Sequence, residues 1–466
     1  MNKNASISQS TRRRFLKQSL AAGATFSVPN VWSSAVAFGE NNSKPTVAGI
    51  GVGGSRGRYS RGGRVAQQAS RLGRMVAVCD VDELHNREFN KKLGGKLKTF
   101  KDYRELLEKV KPEVVTVGTP DHWHVPICVA ALRAGADVYC EKPLTLTIEE
   151  GFKIRQVVKE TGKVFQVGSQ QRSEYGQMFL KAIAIVQSGR LGKNLKAHVA
   201  IGGAPSGGPF ATSPAPKELD WDMWLGPAPR VDYCTQRRSL FRWWFDYSGG
   251  KMTDWGAHHI DIAQWALGHD HGGPVKVSGQ GEFPPLVPEN IDWNAYLDGK
   301  ITLPNGFNTP TGFHIELTFA DGSLMTVHHE YERKEEGIQF GNGILFEGDE
   351  GRIFVNRSKL QGKPIDEMTE AEAKELDAKV VELYGGQPTG HMENFFNCIA
   401  SRKQPISDVA THVRTMTSCH LCNLSLMLGR ELHWDPVKEQ FPGDDQATTL
   451  MTRAQRPDYM PEGYLF

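Results

Sequence analysis

Hydrophobic and polar positions follow two different rhythms along the chain. From Thr46 to Gly168, short apolar runs of strand type alternate with segments whose apolar residues recur at helical spacing. The strand-like runs cover 47–50, 75–79, 114–117, 136–140 and 164–167, and the helix-like segments cover 61–72, 103–109, 126–134 and 148–161. This alternation predicts an α/β fold that begins with a doubly wound parallel sheet.

After Gly168 the rhythm changes to alternating apolar and polar residues, separated by Gly/Asp turns such as Asp321-Gly322. The alternating runs cover 195–201, 275–279, 312–319, 323–328, 344–347 and 352–355. They predict a C-terminal α/β domain with a mostly antiparallel open sheet, one face of which meets solvent or a partner. We therefore expect a first domain over 44–168, a second over 169–434 and a wrapping tail over 435–466.

Length, net charge and apolar content exclude some classes of protein. The chain has 466 residues and a net charge of +2, so nothing in its charge predicts a nucleic-acid partner. After residue 40 there is no uninterrupted apolar stretch long enough for a transmembrane helix.

The first residues have the pattern of an export signal. Residues 11–17 read Thr-Arg-Arg-Arg-Phe-Leu-Lys, a weakly apolar stretch follows, and 35–37 offers a small-x-small cleavage site. We predict a twin-arginine signal peptide over 1–37, recognition by the twin-arginine machinery and a periplasmic or otherwise exported protein; the alternative is a disordered basic tail. No cysteine precedes Cys79, which argues against a lipoprotein anchor.

Cysteine spacing raises one alternative. Cys419 and Cys422 are spaced like metal or redox ligands, but they fall inside the helical pattern of 413–428 with no second such pair nearby. Packing in the core is the favoured interpretation, and no metal site is predicted.

A Gly-rich turn follows the first strand. Residues 49–57 read Gly-Ile-Gly-Val-Gly-Gly-Ser-Arg-Gly, which allows a tight turn and lets backbone amides approach a pyrophosphate. An aspartate ending the second strand would accept hydrogen bonds from the ribose hydroxyls and favour NAD over NADP, whereas arginines in the turn, Arg58 included, leave NADP open. The predicted cofactor contacts from this region are Gly51, Gly53, Gly54, Arg56 and Asp80.

Two later strands end in polar residues at the same edge of the sheet, where open α/β sheets bind ligands. The strand at 114–117 is followed by Thr119, Pro120 and His124, and the strand at 136–140 by Glu141-Lys142-Pro143. A lysine at this edge can hydrogen-bond a substrate oxygen and favour its ionised form. Alternatively, the residues after the strand at 114–117 serve as caps or packing residues, and Lys142 is a surface lysine.

A polar stripe lies on the helix predicted after Gly249-Gly250. At helical spacing, Asp254, His258, Asp261 and Trp265 share one face, and apolar residues occupy the other. An aspartate one turn before a histidine can fix its tautomer and raise its basicity. The alternative is a structural His–Asp pair at a domain interface.

Two aromatic clusters flank this helix, at 221–224 and 241–247. Sugar C–H faces pack well on aromatic rings, so Trp244 and Tyr247 are candidate substrate contacts. A hydrophobic core or subunit interface is the alternative for most of these side chains.

Together, these residues resemble the glucose-fructose oxidoreductase/inositol dehydrogenase/rhizopine catabolism (Gfo/Idh/MocA) family. The resemblance runs from about Lys44 to Trp434, and its most specific parts are the Gly-rich turn with Asp80, the Glu-Lys-Pro triplet and Gly-Gly-x-x-x-Asp-x-x-x-His. It implies an N-terminal Rossmann domain, a C-terminal domain whose open sheet often forms an oligomer interface, NAD(H) or NADP(H), and sugars, cyclitols or their derivatives as substrates.

The resemblance also assigns roles to residues. The lysine matching Lys142 commonly contacts the reacting hydroxyl, the bond after it is often cis, and the residues matching Asp254 and His258 form an acid-base pair. Residues 168–172, Gly-Ser-Gln-Gln-Arg, depart from the Asn-Arg-Arg-like sequence of many relatives. We expect Gln170, Glu141 and Lys142 to contact the cofactor, and the substrate contacts to be Arg172, Trp244, Tyr247, His259 and His391.

The sequence thus predicts an exported, homo-oligomeric, NAD(P)-dependent sugar or cyclitol oxidoreductase with tightly bound cofactor. His258 would accept the hydroxyl proton, Asp254 would orient His258, and Lys142 would polarise the oxygen. Three alternatives remain: a redox-assisted glycosidase or lyase that works through a keto intermediate, a non-catalytic sugar sensor on the same fold, and a metal-assisted lyase. The last would use His258, His259, Asp261 or His391.

Overall fold

The computed structural model of the chain describes residues 44–56 and 60–464. The predicted signal peptide therefore lies outside the described residues. The first sheet is parallel throughout and has the strand order β3-β2-β1-β4-β5-β6. Its strands are β1 (Thr46–Ile50), β2 (Arg74–Cys79), β3 (Lys98–Phe100), β4 (Val114–Val117), β5 (Asp137–Cys140) and β6 (Phe165–Val167). This order is that of dinucleotide-binding doubly wound folds, as predicted.

Five helices connect these strands: α1 (Arg61–Leu72), α2 (Glu83–Lys92), α3 (Tyr103–Val110), α4 (His124–Arg133) and α5 (Ile148–Thr161). Side-chain caps fix where several begin. Asp82, Asp102 and Thr147 each accept a hydrogen bond from a free amide in the first turn of α2, α3 and α5. These caps hold the helix starts at the carboxyl edge of the sheet.

The sequence pattern predicted neither α2 nor β3. In α2 the sequence is Glu-Leu-His-Asn-Arg-Glu-Phe-Asn-Lys-Lys, and Phe89 is its one buried large apolar side chain, so there is little apolar periodicity. The three-residue strand β3 is an edge strand with two exposed residues. Both elements are determined by their contacts with β2 rather than by their own sequence.

The second sheet has eight strands in the order β15-β14-β13-β7-β10-β9-β8-β16. Neighbours are antiparallel except β7 and β10, which are parallel. The strands are β7 (Lys196–Ala200), β8 (Lys276–Glu282), β9 (Gly312–Thr318), β10 (Leu324–His328), β13 (Gly343–Gly348), β14 (Gly351–Val355), β15 (Leu360–Gln361) and β16 (Leu432–His433). A hairpin of β11 (Tyr331–Arg333) and β12 (Ile338–Phe340) lies beside it. The mostly antiparallel sheet agrees with the prediction.

One face of this sheet carries the larger core. Along β9, Phe313, Ile315 and Leu317 are buried, while His314 and Glu316 alternate on the more exposed face. The remaining helices are α6 (Met178–Gln187), α7 (Trp221–Leu225), α8 (Thr235–Ser239), α9 (Gly250–Asp254), α10 (Gly256–Ala266), α11 (Trp293–Leu297), α12 (Lys363–Asp366), α13 (Glu370–Tyr384), α14 (His391–Ser401), α15 (Val409–Leu428) and α16 (Asp445–Thr449). Helices α6, α10 and α15 pack on the buried face and contribute to one hydrophobic cluster.

The C-terminal segment, described as far as Tyr464, contacts helices α5 and α7. The Arg456 guanidinium pairs with Asp222 (2.7 Å), and the Tyr464 hydroxyl donates to Glu150 of α5 (3.2 Å). These two contacts hold the C-terminal segment against helix α5 beside the first sheet and against helix α7. Within the described residues, none of the helices combines the length and the apolar character that crossing a bilayer requires.

Candidate active site

A cavity of about 520 Å³ lies at the carboxyl ends of β1, β2, β4 and β5. That is the edge where ligands bind open α/β sheets, and the volume suits a small-molecule ligand. Side chains from both halves of the chain close it, including Asp80, Thr119, Glu141 and Lys142 on one side and Trp243, Asp254, His258 and Arg357 on the other. The two halves therefore share a single site.

The Gly-rich turn forms one end of the cavity. Gly51 and Gly53 line it and have φ of 73° and 61°, a backbone conformation that favours glycine. A Cβ on Gly51 would lie 2.6 Å from the backbone nitrogen of Thr119, so the turn and the β4 loop can approach this closely only with glycine there. The peptide backbone consequently borders the cavity directly.

Asp80 fixes this turn from the end of β2. One carboxylate oxygen accepts a hydrogen bond from the Gly53 amide (2.8 Å), and the other accepts from the Asp82 amide (3.0 Å). Nearby, the Thr119 hydroxyl is buried without a hydrogen-bond partner and lines the same space. Glycine backbone, a carboxylate at the end of the second strand and an unpaired hydroxyl fit a dinucleotide, in which Asp80 would hold the ribose and the turn the pyrophosphate.

Two predicted cofactor contacts are not part of the cavity lining. A Cβ on Gly54 would meet side chains of α2, so this glycine serves the packing of the turn on that helix. Arg56 turns toward Glu218 (2.9 Å) and Asp82 (3.5 Å), because these carboxylates attract its guanidinium. Arg58, which left NADP open, lies outside the described residues.

The other predicted cofactor contacts do line the cavity: Thr119, Pro120, His124, Glu141, Lys142 and Gln170. His124 contacts the Thr119 carbonyl oxygen (2.9 Å) and the Pro143 carbonyl oxygen (2.6 Å), which ties the two loops together. Glu141 accepts from Arg61 at the start of α1 (2.9 Å) and from Gln170 (3.0 Å). These contacts hold in place the loop after β5 that carries Lys142.

Lys142 reaches across the cleft to the second half of the chain. Its ammonium donates to the Asp254 carboxylate (2.6 Å) and to the Asp254 carbonyl oxygen (2.8 Å), and both side chains are largely buried. The peptide bond after Lys142 is cis, as the resemblance implied. The structure thus brings Lys142 and Asp254 together although 112 residues separate them.

The predicted pairing of Asp254 with His258 is wrong in one respect. Helix α9 ends at Asp254 and α10 begins at Gly256, so the two residues are not on one continuous helix. Asp254 pairs with Lys142 and, at 3.4 Å, with Arg242, while the His258 Nδ1 atom is buried without a hydrogen-bond partner. His258 does line the cavity, so the three predicted catalytic residues meet there even though Asp254 does not orient His258.

Charge and burial determine the protonation states of Asp254 and His258. Burial disfavours an ionised Asp254, but the positive charges of Lys142 and Arg242 outweigh it and hold the pKa of Asp254 well below its ordinary value. Burial, followed by the charges of Lys142 and Arg357, lowers the pKa of His258 well below that of a free imidazole. Near neutral pH the site therefore contains a carboxylate, its lysine partner and a neutral imidazole able to accept a proton.

The five residues predicted to contact the substrate are not part of the lining of this cavity. Arg172 is buried in ion pairs with Asp261 (2.7 Å) and Asp270 (2.5 Å). Asp261 of the predicted polar stripe therefore serves a structural ion pair. Trp244 and Tyr247 are fully buried in an aromatic core beside Arg237, whose guanidinium stacks on Trp244 and donates to the Tyr247 hydroxyl (2.9 Å).

The two remaining histidines bind polar partners outside the cavity lining, and His391 also contacts the Val167 carbonyl oxygen at the end of β6 (2.8 Å). His259 contacts Asn342 (3.1 Å) and Gln171 (3.3 Å), and His391 contacts Ser173 (2.8 Å). Within the described ranges, no group of three or more His, Cys, Asp or Glu residues is arranged to hold a metal ion, so these histidines do not form a metal site with His258. Cys419 and Cys422 are buried free thiols in the core, which agrees with the packing interpretation.

Sequence reasoning missed several residues of the site. Trp224 and Trp243 line the cavity in place of Trp244, so the aromatic clusters do contribute, but through other side chains. The additional polar and aromatic lining includes Arg61, Tyr175, Arg238, Arg242, Lys251, Trp255 and Arg357. Arg61 could have been found, since it opens the helix after the Gly-rich turn. Arg357 follows a short strand in a polar loop, and nothing local in the sequence marks it.

Buried histidines outside the catalytic group predict acid sensitivity. Burial is the main cause that lowers their pKa values, to about 4 for His259 and His391 and to about 3 for His122, His412 and His420. Because each folded pKa lies below the unfolded value, the unfolded chain takes up protons between pH 6.5 and about 4 that the folded protein does not. Stability is therefore lost as pH falls through this range, by roughly 1.4 kcal/mol per pH unit for each histidine.

Calorimetry at pH 7.5, 6.5 and 5.5 checks this expectation. The melting temperature should fall slightly between the first two values and much more steeply to the third. The variant His420→Gln removes one titrating group that contacts Thr145 (3.0 Å), so it should flatten the decline. A melting temperature unchanged down to pH 5 would contradict the account.

Comparison with known proteins agrees with this fold. Residues 46–169 match the sequence profile of the Gfo/Idh/MocA oxidoreductase family, NAD-binding Rossmann fold. Residues 182–284 and 310–461 match the profile of the C-terminal alpha/beta domain of that oxidoreductase family. The predicted NAD-binding domain is thereby confirmed, while the exact domain boundaries stay a prediction.

Individual relatives are more distant. Inositol 2-dehydrogenase of Salmonella paratyphi B is 32% identical over 156 residues, which cover 33% of this chain and only 44% of that protein's length. The scyllo-inositol 2-dehydrogenase (NAD(+)) of Bacillus subtilis is 28% identical over 71% of this chain and 80% of its own length. The WlbA dehydrogenase of Bordetella pertussis, solved with NADH and UDP-GlcNAcA, has a TM-score of 0.57 and 15% identity over 84% of this chain and 99% of its own, a likeness of fold.

Proposed function

The chain belongs to the Gfo/Idh/MocA oxidoreductase family, and we propose that it is an NAD-dependent enzyme that oxidises or reduces a CH–OH group of a sugar, a cyclitol or a derivative of either. The observation that carries the proposal is the contact of Lys142 with Asp254 (2.6 Å) in a cavity that also contains His258 and the Gly-rich turn. The names of the curated relatives, two inositol dehydrogenases, support this substrate class.

Each catalytic side chain has a defined task in this proposal. Bound NAD supplies the hydride acceptor in one direction and, as NADH, the hydride donor in the other. Lys142 donates a hydrogen bond to the reacting oxygen, and Asp254 holds the ammonium at that position. As the alcohol becomes a carbonyl, its hydroxyl proton passes to the neutral imidazole of His258; in the reverse direction the imidazolium returns it.

We further propose that the enzyme is exported and keeps its nucleotide between turnovers. Arg12 and Arg13 support export by the twin-arginine route, which carries folded proteins, so that a cofactor can be loaded first. Replacing both by lysine should leave precursor in the cytoplasm, and unchanged recovery outside it would refute the proposal. The exposed face of the second sheet, which carries His314 and Glu316, is the proposed homo-oligomer contact.

The proposed activity is tested by the absorbance of the nucleotide at 340 nm. Protein is purified without added cofactor, its nucleotide content is determined by mass after denaturation, and NAD⁺ or NADH is added to saturation. Neutral and acidic sugars and cyclitols are then mixed with each form. At least one should change the absorbance; no change with any of them, in either direction, would overturn the proposed function.

A further inference from the structure

One arginine of the cavity comes from the far end of the second sheet. Arg357 lies in the turn between β14 and β15 and lines the cavity beside the catalytic group. Its guanidinium stacks between the rings of Tyr175 (4.7 Å) and Trp255 (4.5 Å), and its Nε donates to the side-chain oxygen of Gln171 (3.2 Å). Three separate contacts thus hold the guanidinium in one orientation.

The outer edge of this guanidinium has no partner. Its Nη2 atom is buried without a hydrogen bond, and no carboxylate of the described residues lies within 4 Å of it in an ion pair. The three other arginines that line the cavity each pair with a carboxylate: Arg61 with Glu141, Arg238 with Asp82 and Arg242 with Asp254. Among the described lining residues, Arg357 is the arginine that forms no ion pair within 4 Å.

Arg357 as a whole is half-buried, but its buried Nη2 donor is costly unless a ligand satisfies it. Unpaired buried charges and donors destabilise a protein, and the guanidinium fork matches the oxygens of a carboxylate or phosphate with two parallel hydrogen bonds. A neutral sugar hydroxyl satisfies only one donor and leaves the charge unpaired. The arrangement therefore favours an anionic group over a neutral one.

We propose that Arg357 binds an anionic substituent of the substrate, a carboxylate or a phosphate, so that the substrate is an acidic sugar or cyclitol derivative. This inference rests on the proposed function and names its substrate class. Trp255 contacts both Arg357 and His258, with its ring centroid 5.9 Å from that of the imidazole, so the anionic group would lie one aromatic ring away from the proton acceptor.

The cavity lining is cationic overall, which suits the anionic dinucleotide as well as an acidic substrate. The described lining holds seven cationic side chains and four carboxylates: Arg61, Lys101, Lys142, Arg238, Arg242, Lys251 and Arg357 against Asp80, Asp121, Glu141 and Asp254. An anion at Arg357 would also offset one of the charges that make His258 a weak base. Binding of the acidic group would thus strengthen the proton acceptor when substrate is present.

Calorimetric binding to the NADH-loaded protein tests the inference without relying on turnover. Matched probes are D-glucose with D-glucuronate and glucose 6-phosphate, D-galactose with D-galacturonate, and myo-inositol with myo-inositol 1-phosphate. In the wild type at least one acidic probe should bind about 10-fold or more tightly than its neutral partner, as expected for hydrogen bonds to a charged group. A preference for the uronate identifies a carboxylate site, and a preference for the sugar phosphate identifies a phosphate site.

Variants assign the preference to Arg357. Arg357→Gln should abolish it, and Arg357→Lys, which keeps the charge but not the fork, should retain part of it. Lys359→Gln is the matched control, because it removes a positive charge from the same turn at an exposed position outside the cavity lining. The variant melting temperatures establish that each protein is folded; if Arg357→Gln is not, the lysine variant and the wild-type preference still decide.

Two results would overturn the inference alone: neutral probes that bind as tightly as their acidic partners, or an acidic preference that survives in Arg357→Gln. If NADH binds but neither the neutral nor the acidic probes bind, both the proposed function and the inference about Arg357 fail. If neutral probes bind and are turned over without any acidic preference, the proposed function stands and only the inference about Arg357 fails.

Discussion

Replacing Lys142 by methionine is expected to lower turnover by roughly 10²–10⁴-fold, the range for a positioned group that assists proton transfer. The buried ammonium is held by two oxygens of Asp254 at 2.6 and 2.8 Å, and methionine preserves the length of the side chain without its charge or its donors. NAD affinity should change little, because Asp80 and the Gly-rich turn remain. Single-turnover reduction of bound NAD measures the first effect and calorimetry the second.

A matched lysine provides the control. Lys181 pairs with Asp377 (3.2 Å) at the surface and is not part of the cavity lining, so Lys181→Met should leave turnover within a factor of about two. An equal loss in both variants would show that the effect of Lys142→Met comes from removing an ion pair rather than from the site. Loss of NAD affinity parallel to the loss of turnover would also contradict the assigned role.

A double-mutant cycle separates the two interpretations of Asp254. If Asp254 holds Lys142, Asp254→Asn should add little to the loss already caused by Lys142→Met, because both changes disrupt one unit. If Asp254 instead oriented His258, its effect should disappear in the background of His258→Ala. The observed ion pair predicts the first outcome.

His258→Ala is expected to lower turnover by roughly 10²–10⁴-fold, because it removes the proton acceptor. The imidazole lines the cavity, its Nδ1 is free of protein partners, and its lowered pKa keeps it neutral near pH 7. The loss should shrink as pH rises, since hydroxide and water then take over part of the proton transfer. Turnover of wild type and variant from pH 6 to pH 10 measures this convergence.

The neighbouring histidine is the control for that experiment. His259 contacts Gln171 and Asn342 outside the cavity lining, so His259→Ala should cost stability but change the turnover of the folded protein by less than about tenfold. Equal losses in both variants, accompanied by release of a metal ion, would contradict the proposed mechanism and favour a metal-centred reaction.

The sequence predicted the parts of the fold that carry strong local signals. The helices at 61–72 and 148–161 have the predicted bounds, because their apolar positions repeat at helical spacing and their ends are marked. The polar helix α2 and the edge strand β3 have weak apolar patterns, and their structure depends on contacts with β2. Local sequence does not contain such contacts, so no periodicity argument could have found them.

The residues of the candidate site also differ in how far local sequence predicts them. Lys142 and Asp80 follow directly from where strands end, since the carboxyl edge of a parallel sheet is shared by all its strands. Asp254 and His258 both line the cavity, but the partner of Asp254 depends on the break between α9 and α10 at Trp255. Arg172 and Trp244 resemble ligand-binding residues by type, yet buried partners distant in sequence determine their positions.

The central claim is that a hydride passes between a substrate carbon and the nucleotide held beside Lys142 and His258. The most direct test loads the wild-type protein with NAD⁺, adds carbon-deuterated sugars and cyclitols, both neutral and acidic, and determines by mass spectrometry whether the released nucleotide carries deuterium. The account predicts deuterated NADH with at least one of these compounds and a strong reduction of its formation in Lys142→Met. A nucleotide that never acquires deuterium, while a product is nevertheless formed, would contradict it.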